Sequence, residues 1–261
     1  MKIIVCVKQV PDTNEVKINP ATGTLIREGV PSIMNPDDKA GLEAALAIKE
    51  QTGAEVTVIS MGPAQADTML REAMAMGADQ AYLISDRAFG GADTLATSST
   101  IAAAIKNLEY DLIITGRQAI DGDTAQVGPQ IAEHLGIPNV SYAEDIKVEG
   151  NSVIVKRQYE DRYHIIKAQM PCLITALGEM NKPRYMTPGG IFEAFREKQV
   201  SILTRKDLDI EDGVIGLKGS PTKVAQSWPI SVKPAGIKVT ELDPQEAAEA
   251  IVEKLKEKFI F

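Results

Sequence analysis

The sequence predicts an α/β protein with a doubly wound, mostly parallel sheet. Three apolar runs in the first half, over 2–7, 55–60 and 112–115, have the composition of buried strands. Segments with helical periodicity separate these runs, and such alternation is typical of strands that run parallel. Right-handed crossovers bring the carboxyl ends of such strands to one edge, where open α/β sheets bind ligands.

The elements of the first half follow in a regular order. A hairpin is expected over 16–26, around the turn at Pro20–Gly23. A helix is expected to begin at Asn35-Pro36, with an N-cap residue, proline at the first helical position and acids in the first turn, and to end near Gly53. The further elements are a strand over 55–60, a helix over 64–76, a strand over 80–84, a helix near 93–106 and a strand over 112–115. The last helix of this half includes residues 130–135 and has Pro129 in its first turn or two, where proline is tolerated.

The period changes from residue 140 onward. Antiparallel strands are expected over 145–148, 152–158, 164–169 and 173–176, as a β-rich extension of the same sheet or a small second layer. Residues 204–240 lack periodicity. They are interpreted either as an arm that lies over a partner protein, with Trp228 as its anchor, or as a disordered linker. A capping box at Asp243 begins a last amphipathic helix. We therefore expect an α/β domain over 1–200 with its β-rich extension from about 140, and a C-terminal arm plus helix over 201–261.

Composition excludes several classes of function. The net charge of −8 argues against a nucleic-acid partner, and the absence of an 18-residue apolar run argues against membrane insertion. Cys6 and Cys172 lie in apolar runs, which fits buried thiols in a reducing compartment and predicts a cytoplasmic protein. With two histidines and no ligand spacing, neither a metal site nor a catalytic residue is predicted.

The segment 116–130 is the most informative stretch of the chain. It leads from the strand over 112–115 into a helix, and its small residues Gly116, Gly122, Ala125 and Gly128 leave backbone N–H groups accessible to an anion. The alternative is a tight turn that binds nothing. At the same sheet edge we expect three further segments, Cys6–Pro11, Asn35–Asp38 and Met61–Pro63. Their convergence predicts a Rossmann-like site for an adenine nucleotide, with the pyrophosphate on segment 116–130.

Short motifs along almost the whole chain resemble the small (beta) subunit of electron-transfer flavoproteins. They occur in the family's order. The matching motifs are Val7–Asp12, Met34–Pro36, Met61–Gln65, Ala75–Asp79, Gly116–Asp121, Arg157–Thr175 and Asn181–Tyr185.

The resemblance implies a nucleotide-binding domain whose C-terminal arm embraces a larger alpha subunit that carries FAD. In ordinary members the small subunit holds AMP as a structural piece. The resemblance and the converging segments together indicate one set of candidate cofactor-binding residues. They are Cys6, Val7, Lys8, Asn35, Pro36, Asp37, Asp38, Met61, Gly116, Asp121, Gly122, Asp123, Thr124, Ala125, Gln126, Val127, Gly128, Pro129, Gln130 and Ala132.

Two features depart from the ordinary members. The loop Thr124–Pro129 resembles the electron-bifurcating branch, in which a second FAD replaces AMP, and His164 stands where dehydrogenase-serving members keep a glutamate. Pro188, Gly189 and Gly190 would suit the close approach of a flavin ring, or form a plain turn. The resemblance then implies a heterodimer that takes electrons from NADH and passes them to an acyl-CoA dehydrogenase and to ferredoxin or flavodoxin.

Two alternatives stay open. The first is an ordinary beta subunit that holds AMP and docks acyl-CoA dehydrogenases through the segment 188–197. The second is a free-standing nucleotide-binding α/β protein, whose arm and last helix would pack on the same chain.

Overall fold

The structure, a computed structural model, describes residues 1–12, 31–222 and 242–259, together with residues 225, 235, 236, 238 and 240. The chain divides into two compact units, Met1–Gln226 and Ser227–Phe261. The hairpin predicted over 16–26 and Trp228 lie outside the described residues.

The first unit contains a two-stranded and a nine-stranded sheet. The small sheet consists of β2 (Gln9–Pro11) and β3 (Ser32–Met34), and the large sheet consists of β1 (Lys2–Cys6), β4 (Glu55–Met61), β5 (Gln80–Ile84), β6 (Leu112–Gly116), β7 (Asn139–Glu149), β8 (Ser152–Gln158), β9 (Tyr163–Gln169), β10 (Cys172–Ala176) and β11 (Val200–Leu203). The order of strands in the large sheet is β11-β5-β4-β1-β6-β10-β7-β8-β9. The strand pairs from β11 to β7 are parallel, and β7-β8 and β8-β9 are antiparallel.

Helices cover both faces of the parallel part of the sheet. They are α1 (Pro36–Thr52), α2 (Asp67–Met76), α3 (Thr94–Ile105), α4 (Val127–Leu135), α5 (Pro188–Arg196) and, in the second unit, α6 (Pro244–Glu257). One apolar cluster joins α1, α2 and α5 to the sheet, and a second cluster joins α3 and α4 to it. Two cores on either side of one sheet are the mark of a doubly wound fold, and the predicted fold class is confirmed.

The prediction that residues 173–176 form an antiparallel strand is wrong. β10 lies between β6 and β7 and is parallel to both. All five of its residues are buried, as is typical of a parallel strand that is covered on both faces. β7, β8 and β9 extend the same sheet, so the alternative of a second layer is excluded for these residues.

The first unit also extends further along the chain than the predicted boundary at residue 200. β11 pairs with β5 at the sheet edge, and Leu208 and Ile215 are buried in the core beside α3. Residues 201–222 are thus part of the α/β unit rather than of an arm.

The second unit contributes the predicted terminal helix. In its capping box, Asp243 accepts from the backbone N–H groups of Gln245 and Glu246, and Glu246 accepts from the N–H of Asp243. Ile251 and Val252 are exposed on α6. No helix in the described part of the chain is long and apolar enough to cross a membrane.

Candidate functional site

The order of the strands reverses at β1. The chain passes from β1 to β4 and β5 on one side, and then returns to place β6 on the other side of β1. The carboxyl ends of β1, β4 and β6 flank this switch point, where open α/β sheets bind ligands. The structure brings the four predicted segments together here: Cys6–Pro11, Asn35–Asp38, Met61–Pro63 and 116–130. We call this group of segments the cradle.

The amino end of α1 is tied to its neighbours by two buried side chains. Asp38 accepts from the backbone N–H of Lys8 (2.8 Å) and from that of Gly116 (2.9 Å). Asn35 donates from Nδ2 to the carbonyl of Gln118 (2.8 Å) and accepts at Oδ1 from the N–H of Ile120 (3.1 Å). Asn35 occupies the N-cap position, as predicted, but its side chain makes no cap bond to the helix.

Burial has the largest effect on the pKa values of the ionisable groups beside these hydrogen bonds. It raises the pKa of Asp38 to about 7, against the opposing effect of the hydrogen bonds that the carboxylate accepts. Burial also raises the pKa of Asp37, which the neighbouring Arg117 lowers in part (Nε–Oδ2 3.3 Å). The pKa of the Cys6 thiol is raised by burial and by Asp38, so Cys6 stays neutral and is unsuited to act as a nucleophile.

The segment 116–130 has an unusual backbone just before α4. Asp123 and Ala125 have φ values of 48° and 51°, a left-handed conformation that is uncommon outside glycine. Gln126 is the N-cap residue, but its side chain makes no cap bond and accepts instead from Thr94 Oγ1 (2.9 Å). The first N–H groups of a helix have no intrahelical partner, so those of Val127 and Gly128 are suited to bind an anion.

Close packing fixes where α4 begins. A Cβ on Gly128 would lie 2.5 Å from Thr115 Oγ1 and 2.9 Å from Thr175 Cγ2. Gly128 is therefore required for the approach of α4 to the ends of β6 and β10, rather than to keep a ligand path clear. Ala132 lies in the core, one turn further along α4. By contrast, nothing lies within 4 Å of a Cβ built on Gly122.

Four buried polar atoms at the cradle have no hydrogen-bond partner among the described residues. Two of them, Asp37 Oδ2 and Arg117 Nε, form an ion pair with each other at 3.3 Å, and the other two belong to Ser60 and Gln130. Ser60 Oγ lies at the carboxyl end of β4, and Gln130 Oε1 lies in α4. Ser60 lines a small pocket between Met61–Pro63 and the segment Lys8–Pro11. Buried polar groups are normally satisfied, so unpaired atoms in such a place fit a polar ligand.

Sequence reasoning missed three residues at this edge. Ser60 could have been found, because it is the last residue of the strand predicted over 55–60. Thr94 lies ten residues after the strand predicted over 80–84, at the start of α3, and gave no such signal. Tyr142 also gave no such signal: it lies where the pairing of β7 with β10 shifts register, it has a φ of 61°, and the guanidinium of Arg117 stands 6.0 Å from its ring centre.

Pro188, Gly189 and Gly190 are not brought to the cradle, and their predicted place beside a flavin ring stays a prediction. They form the first turn of α5, and Gly190 packs against the carbonyl of Ala75. Ala75 lies in the last turn of α2, which runs from the carboxyl edge of the sheet back to its amino edge. These three residues therefore lie at the edge opposite the cradle.

Three further candidates in the cradle differ in their settings. Asp121 pairs with Lys8 (2.6 Å), and Pro36 and Thr124 are exposed. With its uncapped helix start, its left-handed loop residues and its unpaired polar atoms, the cradle fits a ligand that carries both an anionic group and hydrogen-bonding groups. Fold and site together define a doubly wound α/β protein with a ligand cradle at its switch point.

Comparison with known proteins identifies the family. A profile described as "Electron transfer flavoprotein domain" matches residues 22–207. The chain is 58% identical over 257 residues to the electron transfer flavoprotein subunit beta of Clostridium acetobutylicum, with 98% of each chain covered. It is 57% identical to subunit CarD of the caffeyl-CoA reductase-Etf complex of Acetobacterium woodii, with both chains covered completely. It is 50% identical over 269 residues to the acryloyl-CoA reductase electron transfer subunit gamma of Anaerotignum propionicum, again over the whole of both chains.

The chain therefore belongs to the electron transfer flavoprotein family, and its resemblance to the beta subunits of that family is confirmed.

Proposed function

We propose that the chain is the FAD-binding beta subunit of an electron-bifurcating heterodimer. With its alpha subunit it takes electrons from NADH and passes them to an acyl-CoA dehydrogenase and to ferredoxin or flavodoxin, in the cytoplasm. The observation that carries this proposal is the start of α4, which is uncapped and follows two left-handed residues at the switch point of the sheet. Strained backbone of this kind is concentrated at ligand sites.

Different residues of the cradle would bind different parts of the nucleotide. The N–H groups of Val127 and Gly128 would hold the diphosphate, and Ser60 Oγ and Gln130 Oε1 would bind polar groups of the nucleotide. A bound flavin supplies hydride acceptance and one-electron transfer. The protein's own contribution would be to fix the nucleotide at the sheet edge, where the Cys6 thiol stays neutral and Asp37 and Asp38 are buried.

The names of the relatives support the choice of partners. Two of the similar proteins are named as electron-transfer components of a caffeyl-CoA reductase and of an acryloyl-CoA reductase. An acyl-CoA dehydrogenase, which acts on the same class of thioester, is thus the partner we propose. We assign contact with the alpha subunit to the second unit, where α6 exposes Ile251 and Val252.

A second candidate is an ordinary beta subunit that holds AMP and docks a dehydrogenase. The specific observation in its favour is the exposed apolar surface of α5, where Ile191, Phe192 and Phe195 are all exposed. The free-standing alternative has lost its support, because the relatives matched over the whole chain are named as subunits.

The composition of the purified heterodimer tests the proposal. The chain is co-expressed with its alpha subunit, and FAD and AMP are extracted and quantified per heterodimer. Two FAD and no AMP support the proposal, whereas one FAD and one AMP favour the ordinary subunit. NADH oxidation that requires both a dehydrogenase with its thioester and a low-potential acceptor would support bifurcation, and oxidation that needs only one acceptor would contradict it.

A further inference from the structure

We propose that Asn35 and Asp38 are positioning residues, which hold the loops of the cradle in their binding conformation and do not contact the nucleotide themselves. This inference rests on the proposed function only in that the cradle binds a nucleotide, and it applies equally to FAD and to AMP. It replaces the expectation that these two side chains are cofactor ligands.

Asp38 joins the exits of two neighbouring strands. One carboxylate oxygen accepts from the N–H of Lys8, just after β1, and the other accepts from the N–H of Gly116, the last residue of β6. Both oxygens are thus used within the protein. A Cβ on Gly116 would overlap Oδ1 of Asp38, so the carboxylate fills the space directly above the strand ends.

Asn35 holds the next part of the segment 116–130. Its side-chain amide donates to the carbonyl of Gln118 and accepts from the N–H of Ile120, so that it binds this strip of backbone at two points. Its own backbone N–H donates to the carbonyl of Lys8 (2.9 Å). The residue is completely buried, and both ends of its amide are engaged.

These ties act just before the strained part of the loop. Asp123 and Ala125 hold left-handed conformations that an unrestrained loop would relax. Because the backbone at 116, 118 and 120 is anchored, the loop has less freedom to leave the conformation that presents Val127 and Gly128. Loss of an anchor lowers the fraction of molecules that are competent to bind and weakens the apparent affinity in proportion.

The test uses the whole heterodimer with Asn35→Ala, Asn35→Asp and Asp38→Asn. Nucleotide is removed, and affinity and dissociation rate are measured for FAD and for AMP separately. Amide hydrogen exchange of the nucleotide-free heterodimer is followed over residues 118–121 and, as an internal reference, over β8 and β9. Asn181→Ala is the matched control, because Asn181 also donates to a backbone carbonyl, that of Ala40, but outside the cradle.

We expect Asn35→Ala and Asp38→Asn to weaken binding about tenfold or more, the effect of losing about 1.4 kcal/mol. Exchange over 118–121 should become faster in Asn35→Ala without a change in β8 and β9, because local opening is separate from global unfolding. Asn35→Asp keeps the acceptor for Ile120 but loses the donor to Gln118, so its effects should be intermediate. Asn181→Ala should leave both measurements unchanged.

Three results would overturn the inference. Weaker binding with unchanged exchange over 118–121 would make Asn35 a direct ligand. Faster amide exchange over 118–121 with unchanged affinity would show that these hydrogen bonds do not matter for binding. Faster exchange in β8 and β9 as well would show that they only contribute to the overall stability of the protein. Should Asn35→Ala fail to assemble, Asn35→Ser carries the same test. A wild-type heterodimer that holds AMP would refute the proposed FAD function alone, because the ties are then assayed with AMP.

Discussion

The ammonium group of Lys8 lies 2.6 Å from Oδ1 of Asp121 and joins the exit of β1 to the segment 116–130. The Asp121 side chain is only 5% exposed, whereas that of Lys8 is 43% exposed. The loss of an ion-pair partner destabilises a protein far more when the remaining charged group is buried than when it is exposed.

Replacement of Lys8 by Met should lower the free energy of unfolding by about 1–3 kcal/mol, because the buried Asp121 loses a charged donor. Urea denaturation measures this change. Lys147→Met is the control, since Lys147 and Asp145 form an exposed pair at 3.5 Å, and its effect should stay below about 1 kcal/mol. Equal losses in the two variants would show that burial of Asp121 has no energetic consequence.

Gly128→Ala should destabilise the protein by about 1–3 kcal/mol, because the new methyl group would press on Thr115 and Thr175. Gly122→Ala is a matched change in the same segment 116–130, at a position where a Cβ meets nothing within 4 Å, and it should leave the midpoint of thermal unfolding nearly unchanged. A second change, Thr115→Ser, leaves Oγ1 in place and should not rescue Gly128→Ala. Indifference of the protein to Gly128→Ala would refute the close approach of α4 to β6.

The stability of the protein should depend on pH through Asp38. Burial raises the pKa of this carboxyl from 3.8 to about 7, so the folded state binds its proton more tightly than the unfolded state does. The contribution of Asp38 to stability is therefore complete below about pH 4 and is lost as the pH rises to about 7. Relative to wild type, Asp38→Asn should gain a few kcal/mol of unfolding free energy between pH 5 and pH 8, on the order of 1.4 kcal/mol per unit of pKa shift. A difference between the two proteins that is constant over this range would contradict the raised pKa.

The exposed apolar residues of α5 should affect docking without affecting stability. Phe192 is 59% exposed, so Phe192→Ser should change the free energy of unfolding by less than about 0.5 kcal/mol. If α5 docks a dehydrogenase, the same change should raise the KM for that dehydrogenase severalfold in an electron-transfer assay. Ile165→Ser removes an equally exposed residue, on β9, and serves as the control. An effect of Ile165→Ser that matched or exceeded that of Phe192→Ser would place the docking surface elsewhere.

Much of the fold was predictable because its signals are local. Asn35-Pro36 and Asp243-Pro244 begin helices where the caps predict them, and the apolar runs before residues 61 and 116 are buried parallel strands. β10 was given the wrong direction because a short, continuous apolar run does not report the orientation of its neighbours.

The rest of the chain depends on contacts between residues distant in sequence. Residues 204–222 have no period of their own, and distant contacts hold them in place. Asp86 accepts from the N–H of Arg205, 119 residues away, and Ser220 accepts from the N–H of Asp93, 127 residues away. The ties of Asn35 reach 83 and 85 residues along the chain. An N-cap signature therefore predicted the start of α1 correctly but not where the side chain points.

The insertion of β10 between β6 and β7 has a consequence for the order in which the sheet can be completed. As the chain emerges from the ribosome, β6 presents an unpaired edge until residues 172–176 are available to cover it. β7, β8 and β9 can meanwhile pair with one another, since their contacts are close in sequence. A nascent chain halted before residue 172 would thus leave uncovered the edges of β6 and β7 that β10 pairs with, and such edges are templates for aggregation.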